Sequence, residues 1–456
     1  MFLISINKCK YPYQVYPIGL SFVANSLMNN GFDVKLFDVG FQEDLLEVQI
    51  REFSPDFIGL SMRNIDDLRI VNTTYFIPEL NIIINRIRSM TLVPIILGGS
   101  AFSLFPDRLM ELSNADYGVR SEGEIAIVQI LKLLSKTNNP QENQLRKING
   151  LVYRAGDSIK MNPVCHLNPD EIPFPYREQS IESHYLSSTG IVNIQTQRGC
   201  PCSCCYCTYP LIEGSKVRFR SAEQVVEEMI SAKIKNGNSY FFIVDSVFNT
   251  SCEHVNAICE EMIRREVNTR WGCFLKPVNL TRELMNLMSR AGLKHIEFGS
   301  DSFCDTVLNE YSKDFSFEDI YNSSEMARSN QIYHAHFLIT GGPGETEFTL
   351  KKSFENSKKL KKTVIFTFTG MRIFPGTSLY ERAMNEHLIS ETTDFLKPFF
   401  YISPFISKEQ ISILLNDFHK QMPNWIIEDL PCEIVEVMNG LRKRGVCGPL
   451  WEYLIR

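Results

Sequence analysis

IVNIQTQRGCPCSCCYC (residues 191–207) starts as a short apolar strand and passes, after Gly199, into a loop with five cysteines within eight positions. Cys200, Cys204 and Cys207 stand in a C-x3-C-x2-C spacing. Three thiolates on one loop can bind three irons of a cubane cluster and leave the fourth iron without a protein ligand, unlike an electron-transfer cluster held by four cysteines. A single zinc ion is the competing reading, and it requires a fourth Cys or His nearby. No histidine lies between His184 and His254, while Cys202 and Cys205 fall outside the spacing. Cys252, Cys259, Cys273 and Cys304 form no second group of this kind and read as core thiols.

The strand before the loop is the first of a series. SYFFIVDSVFN, TRWGCFLKP, KHIEFGSDS, YHAHFLITGG and TVIFTFTGMRIF follow, separated by helical stretches, one opened by Ser221 with Gln224 three positions on. Six β/α units over residues 190–383 predict a partial β/α barrel, with functional residues at strand C-termini and in the loops that follow them. Asp245-Ser246, Ser300-Asp301-Ser302 and Gly341-Gly342-Pro343-Gly344-Glu345 stand at such ends, and Arg372 with Pro375-Gly376-Thr377 follows the last strand. Arg372 is either a partner for a carboxylate or a solvated side chain. His334 and His336 alternate along one strand and share a face, which is either the barrel interior or an ordinary core or solvent face, with Tyr333 on the opposite side.

Upstream, FLISIN, GLSFVANSLMNNG, DVKLFD, DFIGLSM and VPIILGG alternate strand and helix patterns and predict a doubly wound parallel sheet over residues 1–140. Residues 141–189, with the proline-rich NPDEIPFPYRE, read as a linker. Residues 384–456 read as a small helical region.

Composition agrees with an α/β protein of two or three domains: 456 residues, 44% of them hydrophobic. The 47 Lys and Arg against 53 Asp and Glu leave a net charge of −6 without a basic block, which argues against a nucleic-acid partner and for a small substrate or a peptide. MFLISI lacks a preceding basic stretch and reads as a strand, not a signal peptide, and no apolar run has the length of a transmembrane segment. Thirteen cysteines, an odd number, fit reduced thiols in a cytoplasmic protein better than a disulfide framework.

The cysteine spacing, with aromatic Tyr206 just before the last cysteine, resembles the radical S-adenosylmethionine (SAM) superfamily. The resemblance implies a [4Fe–4S] cluster on Cys200, Cys204 and Cys207 whose open iron chelates the amino and carboxylate groups of SAM. It also implies one-electron cleavage of the sulfonium to a 5′-deoxyadenosyl radical, with a reductant such as flavodoxin or ferredoxin. In relatives the position of Asp245 helps fix the methionine amino group. A Glu–Ser pair near the ribose stands where this chain has Ser300 and the shorter Asp301, and a glycine-rich turn like Gly341, Gly342 and Glu345 lets backbone approach the adenosine.

The N-terminal part carries a second resemblance. Gln14-Val15-Tyr16-Pro17-Ile18-Gly19 lies where flavodoxin-like cobalamin (B12)-binding domains have Asp-x-His-x-x-Gly, and Ser61, Gly98 and Gly99 end strands that in relatives line the cavity for the nucleotide tail. The arrangement is similar to class B cobalamin-dependent radical SAM enzymes. Tyr16 occupies the histidine position and Gln14 the aspartate position, and residues 1–150 contain no histidine. If cobalamin binds, its lower face is therefore expected without a histidine from this domain, either unligated or met by water, Arg63 or Asn64; a vestigial domain without cofactor is the alternative. The resemblance implies cobalamin-dependent C-methylation of an unactivated carbon in a small-molecule or lipid-type substrate. Radical cyclisation, rearrangement or oxidation without methyl transfer is the second reading, and an iron–sulfur or cobalamin sensor the third. Residues 61–66 and Gly448-Pro449-Leu450-Trp451 are similar to a subgroup associated with unusual anaerobic lipids.

Overall fold

Four of the N-terminal apolar runs become parallel strands, β1 (Phe2–Ser5), β2 (Lys35–Asp38), β3 (Ile58–Ser61) and β4 (Ile95–Gly98), and a fifth strand that the sequence reading did not single out, β5 (Tyr117–Val119), joins them. They read as continuous hydrophobic runs because helices cover a parallel sheet. The computed structural model describes the chain apart from residues 7, 9–13, 138, 238–239, 429–431 and 456. Two compact units result, the first comprising Met1–Asp67, Thr73–Tyr185 and Leu211–Gly214, the second Leu68–Asn72, Leu186–Pro210 and Ser215–Arg456.

In the first unit the parallel strands run in the order β2-β1-β3-β4-β5. Helices Ile18–Met28 and Glu124–Leu134 bury Leu20, Ala24, Leu27, Ile127 and Leu131 against Leu3, Leu36 and Ile96. The strand order reverses between β1 and β3, which in doubly wound sheets opens a ligand crevice at the carboxyl ends. One register row crosses that edge: Asp38, Ser5, Ser61 and Gly98.

The linker reading of residues 141–189 is corrected here. β6 (Leu151–Ala155) and β7 (Ser158–Met161) form an antiparallel hairpin that extends the sheet beyond β5. Gly156, at φ +59°, and Asp157 make the two-residue turn, the conformation that joins hairpin strands without splaying them. Helix Gln179–Thr189 follows, and its Ile181 and Tyr185 lie in the first unit's core.

The second unit contains β8 (Ile191–Ile194), β9 (Gln197–Arg198), β10 (Arg218–Phe219), β11 (Tyr240–Ile243), β12 (Arg270–Leu275), β13 (Leu293–Asp301), β14 (Tyr333–Thr340), β15 (Thr363–Thr369), β16 (Met371–Arg372), β17 (Phe400–Tyr401) and β18 (Trp425–Ile427). Its main sheet is parallel, in the order β18-β15-β14-β13-β12-β11-β8. The expected six-stranded partial barrel thus has a seventh strand, drawn from the region read as helical. Trp-Ile-Ile is too short to show a period, and it becomes a strand by pairing with Ile365–Thr367.

Val192, Ile194, Phe241, Ile243, Trp271, Ile296 and Phe298 pack outward on the helical residues Val225, Met229, Val255, Ile258, Met285 and Met288. His334 and His336 do share a face, and it is this helix-covered one. His336 lies 2.8 Å from Ser300 Oγ and 3.0 Å from Ser324 Oγ of helix Phe317–Ser329. Burial pushes the His334 imidazole down to about 4 and His336 well below its ordinary range, so both are neutral core groups. Among the described residues no helix is long and apolar enough to cross a membrane.

On the other side of the sheet, Trp451 packs with Ala335, Val364 and Ile426, and its indole N–H donates to Glu297 Oε1 at 3.0 Å. The Tyr240 hydroxyl lies 2.8 Å from His295 Nδ1, and His295 Nε2 is 3.2 Å from Glu452. Gly448-Pro449-Leu450-Trp451 therefore belongs to a floor under the amino-terminal ends of the barrel strands.

Burial pushes the Glu297 carboxyl up to about 7 despite the Trp451 hydrogen bond. Between the ordinary carboxylate range and pH 7 the folded state holds a proton that the unfolded state has lost, so stability falls as pH rises through that window, by up to about 1.4 kcal/mol per pH unit. Glu297→Gln is expected to flatten this slope and to exceed the parent in urea midpoint at pH 8. Parallel stability curves for the two proteins would refute it.

Candidate functional site

The cysteine loop is pinned at its start and at Cys205. Where β8 ends, the backbone N–H groups of Thr196 and Gln197 donate to Asp245 Oδ1 at 2.7 and 3.2 Å, and the Thr196 hydroxyl donates to Oδ2 at 2.5 Å. Gly199, at φ +90°, starts the loop in a conformation that favours glycine. Cys205 N–H donates to Tyr311 C=O at 3.1 Å, and Leu379 N–H donates to Cys205 C=O at 2.8 Å, which turns the Cys205 thiol into the protein interior.

A hydrogen bond from Cys202 holds the Cys200 thiol below its ordinary range, whereas burial pushes Cys204 and Cys207 up. Iron would deprotonate such thiols on binding. A cubane spreads its thiolates over separate irons, and three thiols on one pinned loop fit that donor requirement.

The expected strand-end residues fall into two groups. Asp301 faces the loop: its carboxylate accepts from the Tyr206 hydroxyl and from Lys313 Nζ, each at 2.5 Å. Asp245 and Ser300 are engaged within the chain, Asp245 by β8 and Ser300 by His336. The Gly341 N–H donates to the Glu345 carboxylate, and burial pushes that carboxyl up to about 8. A Cβ on Gly341 would meet Ile411 at 2.8 Å, and one on Gly342 the Tyr311 hydroxyl at 2.4 Å. The close approach these glycines allow here is to the protein's own side chains. Arg372 is not solvated: it is buried and donates to the carbonyls of Ile373 and Phe395.

In the first unit, Tyr16 is turned into the core. Its hydroxyl accepts from Ser21 Oγ at 2.9 Å, and its ring meets Tyr185 edge-on. Gly19 is exposed, and among the described residues nothing lies within 4 Å of where a Cβ would stand. Gly98 is also open, with only the Val119 carbonyl at 3.7 Å, whereas Gly99 is required by Met62, whose carbonyl would lie 2.4 Å from a Cβ. The histidine-free stretch ends before this unit does. His184 Nε2 lies 3.0 Å from Gln14 Oε1, and the imidazole stacks on Phe41.

The B12 binding domain family model matches residues 4–131, and the Radical SAM superfamily model matches residues 194–356. The chain is a radical SAM enzyme with a B12-binding domain. An uncharacterized methyltransferase of Pyrococcus horikoshii is 26% identical, with 96% of this chain and 94% of that protein covered. The tryptophan 2-C-methyltransferase of Streptomyces laurentii is 22% identical over 82% of this chain and 72% of its own. The enzyme shares its fold with the radical SAM methyltransferase TsrM from Kitasatospora setae, solved with cobalamin and a [4Fe–4S] cluster bound, at TM-score 0.86, 21% identity and coverage of 99% and 96% of the two chains.

Sequence reading of the enzyme missed Lys313, Asp38 and His184. Lys313 reaches the loop through the helix Asp305–Glu310 and a left-handed Ser312, which no spacing rule marks. Asp38 carried a signal, since it ends β2 in the row opposite Ser5; its carboxylate accepts from Tyr185 and from Gly40 N–H, each at 2.8 Å. Asp245→Asn is expected to weaken the enzyme by about 1–3 kcal/mol, because an amide replaces one of two accepting oxygens facing Thr196. Iron per chain after reconstitution should fall with it, and full iron content with parental stability would contradict a positioning role.

Proposed function

We propose that the enzyme methylates an unreactive carbon of a small molecule, using SAM and cobalamin. The observation that carries this reading is the pairing of a pinned three-thiol loop with an open switch-point edge on one chain, in a fold whose relatives of nearly equal length are named methyltransferases. When bound, the cluster with SAM supplies a 5′-deoxyadenosyl radical, and cobalamin supplies a carrier for the methyl group.

The chain's residues prepare both sites. Cys200, Cys204 and Cys207 hold the irons, and Asp245 fixes the strand end from which their loop departs. SAM is assigned to the carboxyl ends of β11, β13 and β14, beside Asp301 and the Gly341–Glu345 turn. Cobalamin is assigned to the edge lined by Ser61, Gly98 and the open Gly19. Because Tyr16 is buried, the position that holds histidine in related domains would offer no imidazole to bound cobalamin. A one-electron reductant of flavodoxin or ferredoxin type and a reducing cytoplasm complete the reading.

The test is anaerobic reconstitution with iron, sulfide, hydroxocobalamin and dithionite, followed by incubation with SAM. Corrinoid absorbance on the purified protein, methylcobalamin and S-adenosylhomocysteine are the expected products. Release of 5′-deoxyadenosine without S-adenosylhomocysteine, with corrinoid bound, would replace methyl transfer by a radical cyclisation, rearrangement or oxidation. Bound cluster and corrinoid with no methylcobalamin, S-adenosylhomocysteine or 5′-deoxyadenosine formed would leave a sensor as the better reading, and no corrinoid absorbance would overturn the cobalamin assignment.

A further inference from the structure

We infer that Lys313, Asp301 and Tyr206 set the reduction potential of the cluster by acting on the Cys204 sulfur; this rests on the reading of Cys204 as an iron ligand. Lys313 Nζ lies 3.2 Å from Cys204 Sγ, 2.5 Å from Asp301 Oδ2 and 3.4 Å from the Tyr206 hydroxyl oxygen. The Tyr206 hydroxyl donates to the same Asp301 oxygen at 2.5 Å. The Lys313 and Asp301 side chains are only 7% and 6% exposed, and the rings of Tyr206 and Phe315 flank the ammonium at 5.5 and 5.8 Å.

Burying such a pair is unfavourable unless the charges are used, since desolvation offsets much of their attraction. Asp301 moreover sits at φ +59°, a backbone region that few residues other than glycine adopt. The arrangement places an unscreened cation on one ligand sulfur and an anion one atom layer behind it. Reduction adds one electron, supplied by the external reductant, to a cluster already made negative by three thiolates. Lys313 stabilises the reduced form, Asp301 opposes it, and Tyr206 moderates Asp301 by sharing its charge. Cluster potential depends on net charge, hydrogen bonds to sulfur and exposure, and this trio alters the first two.

The sign of the shift for each residue provides the test. Reconstituted enzyme is titrated electrochemically while the reduced cluster is followed by electron paramagnetic resonance. Lys313→Met is expected to lower the ratio of reduced to oxidised cluster at fixed potential about tenfold, a downward shift of about 59 mV for one electron. Asp301→Asn shifts it upward, and the double variant, which removes both buried charges, lies between the singles. If Lys313→Met fails to hold iron, the upward shift of Asp301→Asn decides the matter. Iron-loaded variants that titrate with the parent, or both move the same way, overturn the inference. A parent protein that never shows a [4Fe–4S] signal would instead break the cluster assignment beneath it.

Discussion

Alanine at Cys204 is expected to reduce 5′-deoxyadenosine formation to the level of a protein-free control. Two remaining thiolates cannot complete a three-iron anchorage, and the substitution also leaves the buried Lys313 ammonium without its sulfur partner. The loss should exceed the roughly 10–100-fold that removal of a metal's outer partners causes. Iron and sulfide per chain, measured after anaerobic reconstitution, should fall in parallel. Cys202→Ala is the discriminating control, since Cys202 stands outside the spacing and hydrogen-bonds to Cys200. Retention of iron by the Cys204 variant together with its loss from the Cys202 variant would reassign the ligands.

The second large effect is on stability. Trp451→Ala removes a fully packed indole from between β13, β14, β15 and β18, which alone is worth about 3–5 kcal/mol. It also strips Glu297 of the indole N–H, leaving a buried carboxyl without that donor, a further loss of about 1–3 kcal/mol. Trp451→Phe separates the two contributions, since it keeps most of the volume and loses the donor. Urea unfolding should therefore rank the parent above Phe and Phe above Ala. An alanine variant with the parental midpoint would show that the floor contributes nothing to folding.

Both architectures were legible in the sequence wherever a strand was long enough to show apolar continuity and to end in a distinctive turn. The cysteine spacing was legible because ligand chemistry there is local. What escaped reading was made by pairing across distance. β18 has three residues and acquires its conformation from β15. β6 and β7 had a local signal in Gly156-Asp157, outweighed by the prolines that follow. His334 and His336 were correctly read as sharing a face, but which side helix Phe317–Ser329 covers depends on the packed barrel, not on alternation. Lys313 is the clearest case: an ordinary lysine in sequence, it becomes part of the cluster environment only when the chain brings it to Cys204.

The floor under the barrel also orders events in time. Trp451 meets Glu297 across 154 positions, and Arg442 donates to the Thr189 carbonyl across 253. At roughly 5–20 residues per second of synthesis, the cysteine loop emerges roughly 10–50 s before the segment that closes the barrel beneath it. In the last part of that interval Phe337 and Phe366 have been made but lack their cover, while the thiols made before them are already available to iron. Loading of the metal centre and completion of the fold are thus separable stages of biogenesis, with the metal able to arrive first.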